Sequence, residues 1–368
     1  MQVTASGACR MVMADGLRET LRGVVQGRSY STTRRPSTAG ALVESPLQLL
    51  CTVEAHAAGL TGPSTKVYVR DDVPALADAL GALREFRLPG GLDLDLVSRR
   101  SAFLAGDPVH VVGDAFSGLF QASLARGFTP QRRLDRLILV DDGLATIELA
   151  RLLAAGRPLV RIGTRPSAHR RGLGALATRR LRVMAARGDL VLFSAMPLDA
   201  ALISRLTEIG VMVQPHRFAW LSSLTPPDTP PEPTIVVGSA MVADGFVRAE
   251  PYVGWVRQVA QDGPVRYLPH RRQDPAVLAA LAEIPQVVVD RPGAPAELRL
   301  CGLTAGQRVV SLPSTSAVLL SRILGSRAVA VEPHDVPEDW WTARATPELR
   351  AHLRSVLTLA RAAQDDAP

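Results

Sequence analysis

Three short polar signals stand where apolar runs give way to helix-like patterns. Asp141, Asp142 and Gly143 follow the run Leu137 to Val140, and Pro269, His270, Arg271 and Arg272 follow Val265 to Leu268. Ser314, Thr315 and Ser316 precede the apolar-periodic segment Val318 to Leu324, which Gly325 ends. A carboxylate at a cleft can act as general base, and a histidine can hydrogen-bond or protonate a departing phosphate. Hydroxyls and free amides at a helix start can cradle that phosphate, and no Glu or Gln completes a capping box here. Such a set can move a sugar off a nucleotide. Each signal also has a plainer use: Asp-Gly is a common turn pair, the His270 stretch fits a basic surface turn, and Ser314 fits an N-cap. Asp141, directly after its apolar run, is the expected base.

The elements that must position these residues follow from the hydrophobic pattern. Short apolar runs at Gly40 to Val43, Thr65 to Val69, Leu92 to Val97, Val109 to Val112, Leu137 to Val140 and Leu190 to Phe193 alternate with helical periods. That alternation predicts a doubly wound parallel sheet. Ser45 before Pro46 marks a helix start. Five prolines between Thr225 and Thr234 predict a spacer, after which the alternation restarts at Ile235 to Val237. The expected organisation is a tail over 1–38, an α/β domain over 39–224, a linker over 225–234, a second α/β domain over 235–345, and a closing helix and tail over 346–368. Ligands of such folds sit at the carboxyl ends of the strands, where all three signals fall.

Composition narrows the class. With 368 residues, 47% hydrophobic and 21% charged, the chain suits packed domains rather than disorder. Lys66 is the one lysine among 42 basic residues, and the excess of arginine in an alanine-rich chain reads as coding bias. Before residue 40, six arginines against Asp15 and Glu19 hold four of the seven net positive charges, so the rest offers little to nucleic acid. The arginine-rich stretch from Arg165 to Arg187 fits a solvated helix face, or a peripheral contact with an anionic membrane surface. Cys9, Cys51 and Cys301 suggest neither a disulfide framework nor a zinc site, and no metal is expected. No apolar run is long enough to span a bilayer, which predicts a cytoplasmic protein. Gly172-Leu173-Gly174 lacks a preceding strand and a third glycine, and no phosphate loop ends in Gly-Lys-Ser/Thr.

Over roughly residues 39 to 332 the chain resembles bacterial sialyltransferases and polysialyltransferases of the two-domain GT-B type. The resemblance is carried by Ser45, Pro46, Leu47 and Gln48 after the first strand, by Gly113 and Asp114, and by Asp141 to Gly143. It continues with Gly238, Tyr252, Tyr267, Pro269, His270, Arg271, Glu297 with Leu298, and the hydroxyl cluster from Ser314. Gln273 stands where the family carries an acidic residue. The resemblance implies two Rossmann-like domains facing a central cleft and an inverting, metal-independent transferase without a cofactor. It implies a CMP-sialic acid or related CMP-sugar donor on the second domain and a glycan acceptor on the first. Asp141 would take the acceptor proton, His270 would assist the departing CMP phosphate with Ser314, Thr315 and Ser316, and Glu297 would hold ribose hydroxyls. Gly238, Pro269 and Arg271 would complete the donor site; Ser45, Gln48, Gly113, Asp114, Asp142 and Gly143 would lie on the acceptor side. A transferase for another activated sugar, or a glycan-binding protein that keeps the fold, are the alternatives.

Overall fold

The computed structural model describes residues 38–97, 107–126, 134–161, 166–226 and 228–365. The expected tail to residue 37, Arg165, Pro227 and the last three residues lie outside them. The described residues form one compact unit.

Its first half is a seven-stranded parallel sheet. Strands β1 (Thr38–Val43), β2 (Ser64–Arg70), β3 (Leu92–Val97), β4 (Val109–Val112), β5 (Arg136–Val140), β6 (Leu190–Ser194) and β7 (Met212–Pro215) take the order 3-2-1-4-5-6-7. Helices α1 (Pro46–Ala57), α2 (Pro74–Arg84), α3 (Gly118–Arg126), α4 (Ala145–Ala154), α5 (Ala168–Ala186), α6 (Ala200–Glu208) and the short α7 (Ala219–Ser222) connect or follow them. Strands β4 to β6 are buried on both faces, which is why they read as continuous apolar runs. Along β5, Ile138 and Val140 enter one core layer while Leu137 and Leu139 enter the other.

Most of the arginine-rich stretch is the 19-residue helix α5. Arg171, Arg179 and Arg180 are exposed on it, as is Arg187 just past its end. Arg182 instead turns inward and donates to the carbonyls of Leu153 and Ala154, the free end of α4. Gly174 is inside this helix, where a Cβ would come within 2.6 Å of the Leu159 carbonyl, so this glycine serves close packing.

The second half repeats the design with five parallel strands. They are β8 (Thr234–Val237), β9 (Val265–Leu268), β10 (Val287–Val289), β11 (Arg308–Ser311) and β12 (Ala330–Pro333), in the order 10-9-8-11-12. Helices α8 (Ala249–Val259), α9 (Pro275–Ala282), α10 (Ala296–Leu300) and α11 (Thr315–Gly325) wind around it, and α12 (Pro347–Asp365) closes the chain. Each sheet reverses its strand order once, between β1 and β4 and between β8 and β11, which opens a crevice at the carboxyl ends. One core layer runs through both halves: Val43, Leu49 and Phe218 share it with Ile235, Leu268 and Leu320. The fold is therefore α/β with two Rossmann-like parallel sheets, the GT-B plan.

Candidate functional site

The wall from the first sheet begins at the end of β1. Ser45 caps α1 by accepting the Gln48 amide at 3.4 Å, with Pro46 at the first helical position. Gln48 is buried; its Oε1 accepts the Glu44 amide at 2.8 Å and its Nε2 donates to Asp142 Oδ1 at 2.8 Å. Gly113, at the end of β4, is where this side chain passes, since a Cβ there would lie 2.2 Å from Gln48 Cγ. Arg161 reaches Asp142 at 3.3 Å and Asp114 at 2.6 Å. Burial and the Asp142 carboxylate push the Asp114 carboxyl up, against the pull of Arg161. Asp142 is thus held by an amide and a guanidinium while its side chain keeps 19% of its surface open.

Asp141 is placed differently from the sequence expectation. It is fully buried and faces away from solvent, accepting the Ser194 hydroxyl at 2.5 Å and the Ala195 amide at 2.6 Å. A carboxylate enclosed by the protein cannot meet an acceptor hydroxyl that arrives from the cleft. The correction is one residue: Asp142, expected on the acceptor side, is the carboxylate at the opening. Successive side chains at a strand end point in different directions, and two adjacent aspartates give the pattern no way to choose.

The wall from the second sheet is organised around tyrosines. Ser239, after β8, donates its amide to the Tyr252 hydroxyl, which lies 2.8 Å from Tyr267 Oη. Tyr267 in turn donates to Gln273 Oε1 at 3.0 Å. Gln273 is buried, so its neutral acceptor fits a chain of phenols that burial pushes above their usual range, to about 12 for Tyr252. Gly238 completes this packing: a Cβ would come within 2.8 Å of the His270 amide, the Leu268 carbonyl and Tyr267 Oη.

Pro269 and His270 leave β9 against that support. The Arg272 amide donates to His270 Nδ1 at 3.1 Å, which puts the ring proton on Nε2. Burial, then Arg272 and Arg271, lower the His270 pKa to about 4, so the ring is neutral at pH 7 and is a hydrogen-bond donor rather than an acid. Arg272 pairs with Asp244 at 2.8 Å. Ser314 caps α11 by accepting the Ala317 amide at 3.1 Å. Glu297 is buried beside it and takes a hydrogen bond from Ser316, yet desolvation still raises its pKa.

The two walls enclose a cleft of about 520 Å³. Asp142 and Gly143 line it opposite Thr315; a Cβ on Gly143, whose φ is +66°, would lie 2.8 Å from Thr315 Oγ1 and Cγ2. Ser45, Gly238, Pro269, His270, Arg271, Glu297, Ser314 and Ser316 also line it, while Gln48, Gly113 and Asp114 stand behind Asp142. Met241, Asp244, Phe246 and Arg299 line it as well, and no motif in the sequence marked them. All lie on loops or short helices beyond strand ends, where the apolar pattern gives no register.

The fold also gathers a side-chain set that sequence spacing hid. Ligand atoms of Cys51, Asp141 and His216 lie within 4.8 Å of one another in the interior, behind the cleft. Burial pushes the Cys51 thiol well up, helped by the Asp141, Glu54 and Glu297 carboxylates. Cys301 is likewise buried and reduced.

No family model and no curated protein sequence matches the chain. Among solved structures it is similar in fold to a UDP-glucosyltransferase from Polygonum tinctorium, at 12% identity and a TM-score of 0.46, over 91% of this chain and 95% of that one. It is also similar to UDP-GlcNAc 2-epimerase from Neisseria meningitidis, at 11% identity and a TM-score of 0.46, over 87% and 89%. A glycosyltransferase from Rickettsia africae gives 10% identity and a TM-score of 0.42 over 90% and 93%. Among the described residues no helix is long and apolar enough to cross a membrane.

Proposed function

We propose that this protein is an inverting, metal-independent glycosyltransferase that moves sialic acid, or a related acidic sugar, from a CMP-sugar to a glycan acceptor. The observation that carries the reading is that Asp142, a neutral His270 and the start of α11 line one cleft, with Gly143 packed against Thr315. The acceptor hydroxyl attacks the anomeric carbon and gives its proton to Asp142. The bond from that carbon to the CMP phosphate oxygen breaks, and its electron pair leaves with the phosphate.

Charge then grows on the phosphate, where His270 Nε2–H, the Thr315 hydroxyl and the first amides of α11 supply donors, while the Ser316 hydroxyl is given to Glu297. Donors aimed at charge that develops in the transition state accelerate the step selectively. Glu297, buried and raised in pKa, suits a hydrogen bond to ribose hydroxyls, and Arg271 suits an acidic donor. Gln48 and Arg161 hold Asp142 in position.

The test is donor turnover by purified protein, with CMP-sialic acid, other CMP-sugars and UDP-sugars compared in the presence of a glycan panel. Transfer from a CMP-sugar that Asp142→Asn abolishes supports the proposal. Turnover of UDP-sugars alone would move the donor to another nucleotide, and full activity of Asp142→Asn would remove the base.

A further inference from the structure

Behind the cleft, one residue before Asp142, three elements converge on a buried point. Cys51 comes from α1, Asp141 from the end of β5 and His216 from just past β7, and all three are at most 1% exposed. His216 Nδ1 lies 3.7 Å from Asp141 Oδ2, and Nε2 lies 3.9 Å from Glu54 Oε2. Both separations are too long for hydrogen bonds, and neither ring nitrogen has a partner. The ring is wedged between Phe193 and Phe218, with centroids 4.5 and 4.0 Å away, so it cannot turn to solvent. A buried imidazole with two unpaired nitrogens demands an explanation.

We propose that Cys51, Asp141 and His216 bind a zinc ion. Zinc bonds to sulfur at about 2.3 Å and to nitrogen or oxygen at about 2.0–2.2 Å, so tetrahedral nitrogen and oxygen ligands lie about 3.3–3.5 Å apart. The 3.7 Å between His216 and Asp141 is within a few tenths of an ångström of that spacing. A thiolate with an imidazole and one carboxylate selects zinc over magnesium or calcium. Three protein ligands would leave the fourth tetrahedral position to a water.

The surroundings fit the same reading. Histidine ligands commonly direct their second nitrogen at a carboxylate, and Glu54 faces His216 Nε2. Glu54 is itself fixed by the amides of Leu221 at 2.8 Å and Trp220 at 3.2 Å. Asp141 is fixed by Ser194 and Ala195. On binding, the Cys51 thiol loses its proton to solvent and its sulfur pair goes to the metal. Zinc here would pin the strand end that carries Asp142, and the inference stands whether or not the cleft transfers sugars.

Because the point is buried, the ion must enter during folding. The full chain is unfolded, stripped of metal, and refolded with zinc, with cobalt(II), or with chelator. About one zinc per chain by elemental mass spectrometry, a higher melting temperature with zinc, and a thiolate-to-cobalt charge-transfer band are expected. Cys51→Ser should remove that band, and Glu54→Gln should weaken zinc by about 10–100-fold. Wild-type protein that refolds identically without stoichiometric metal overturns the proposal. So does a folded Cys51→Ser variant, checked by circular dichroism, that keeps the cobalt band. If the variant fails to fold, the wild-type zinc count and cobalt spectrum decide alone.

Discussion

Adjacent aspartates with opposite surroundings should separate into two phenotypes. Asp142 touches the cleft as the proposed general base, and losing such a base typically slows a reaction by about 10²–10⁴-fold. Asp142→Asn, which can still accept from Gln48, should therefore lose turnover at nearly unchanged melting temperature. Asp141→Asn should do the reverse in first effect, because Ser194 and Ala195 lose a charged acceptor whose hydrogen bonds contribute about 1.5–3 kcal/mol each. Steady-state kinetics and thermal unfolding on the two variants check this, and equal kinetic loss with equal stability would erase the distinction. His270 makes a second case. Its folded pKa of about 4 lies below the ordinary value of 6.5, so the unfolded chain binds the proton first as pH falls. The stability it contributes is complete above about pH 6.5 and is lost as pH falls toward 4. His270→Gln, which keeps an N–H donor and cannot titrate, should flatten the pH dependence of stability in that window. It should also retain more transfer activity than His270→Ala; equal activities would mean that donation is not the role.

Loops at strand ends line the cleft, and the elements dictate how tightly they are held. Gly143 combines a φ of +66° with a neighbour 2.8 Å from the position of a Cβ, so Gly143→Ala meets both backbone strain and Thr315. Left-handed backbone costs a non-glycine residue about 1–2 kcal/mol before any clash is counted. Adding Thr315→Ser removes the Cγ2 contact and leaves the strain, so the double variant should recover part of the stability and part of the turnover. A double-mutant cycle by chemical denaturation measures that coupling, and strict additivity would show that the two walls do not touch there. This level also shows what the sequence made legible. Parallel strands buried on both faces produce apolar runs, and ligand loops follow their carboxyl ends, so the cleft residues around His270 and Ser314 could be located by pattern. Two features escaped the pattern for a physical reason. Which of two neighbouring carboxylates turns inward depends on Ser194 and Ala195 on another strand, and the Cys51, Asp141 and His216 set forms only when α1, β5 and β7 pack. Gln273 belongs here too: the Tyr252 and Tyr267 hydroxyl chain explains a neutral residue there, and local sequence does not.

At the scale of the whole molecule, the two sheets share a core layer instead of meeting across a purely polar seam. Val43, Leu49 and Phe218 from the first half pack in one layer with Ile235, Leu268 and Leu320 from the second. Opening the halves would expose that layer, and apolar area costs about 25 cal/mol per Å² on exposure. The two halves should therefore unfold as one cooperative unit, with calorimetric and van't Hoff enthalpies in agreement. A ligand bound between the walls stabilises that unit as a whole. At a donor concentration of 100 Kd the gain is about 2.7 kcal/mol, and it should move a single transition upward without splitting it. Differential scanning calorimetry with and without a CMP-sugar makes the comparison. Two transitions, of which the donor moves only one, would mean that the sheets are thermodynamically separate and that the donor is held by one wall alone.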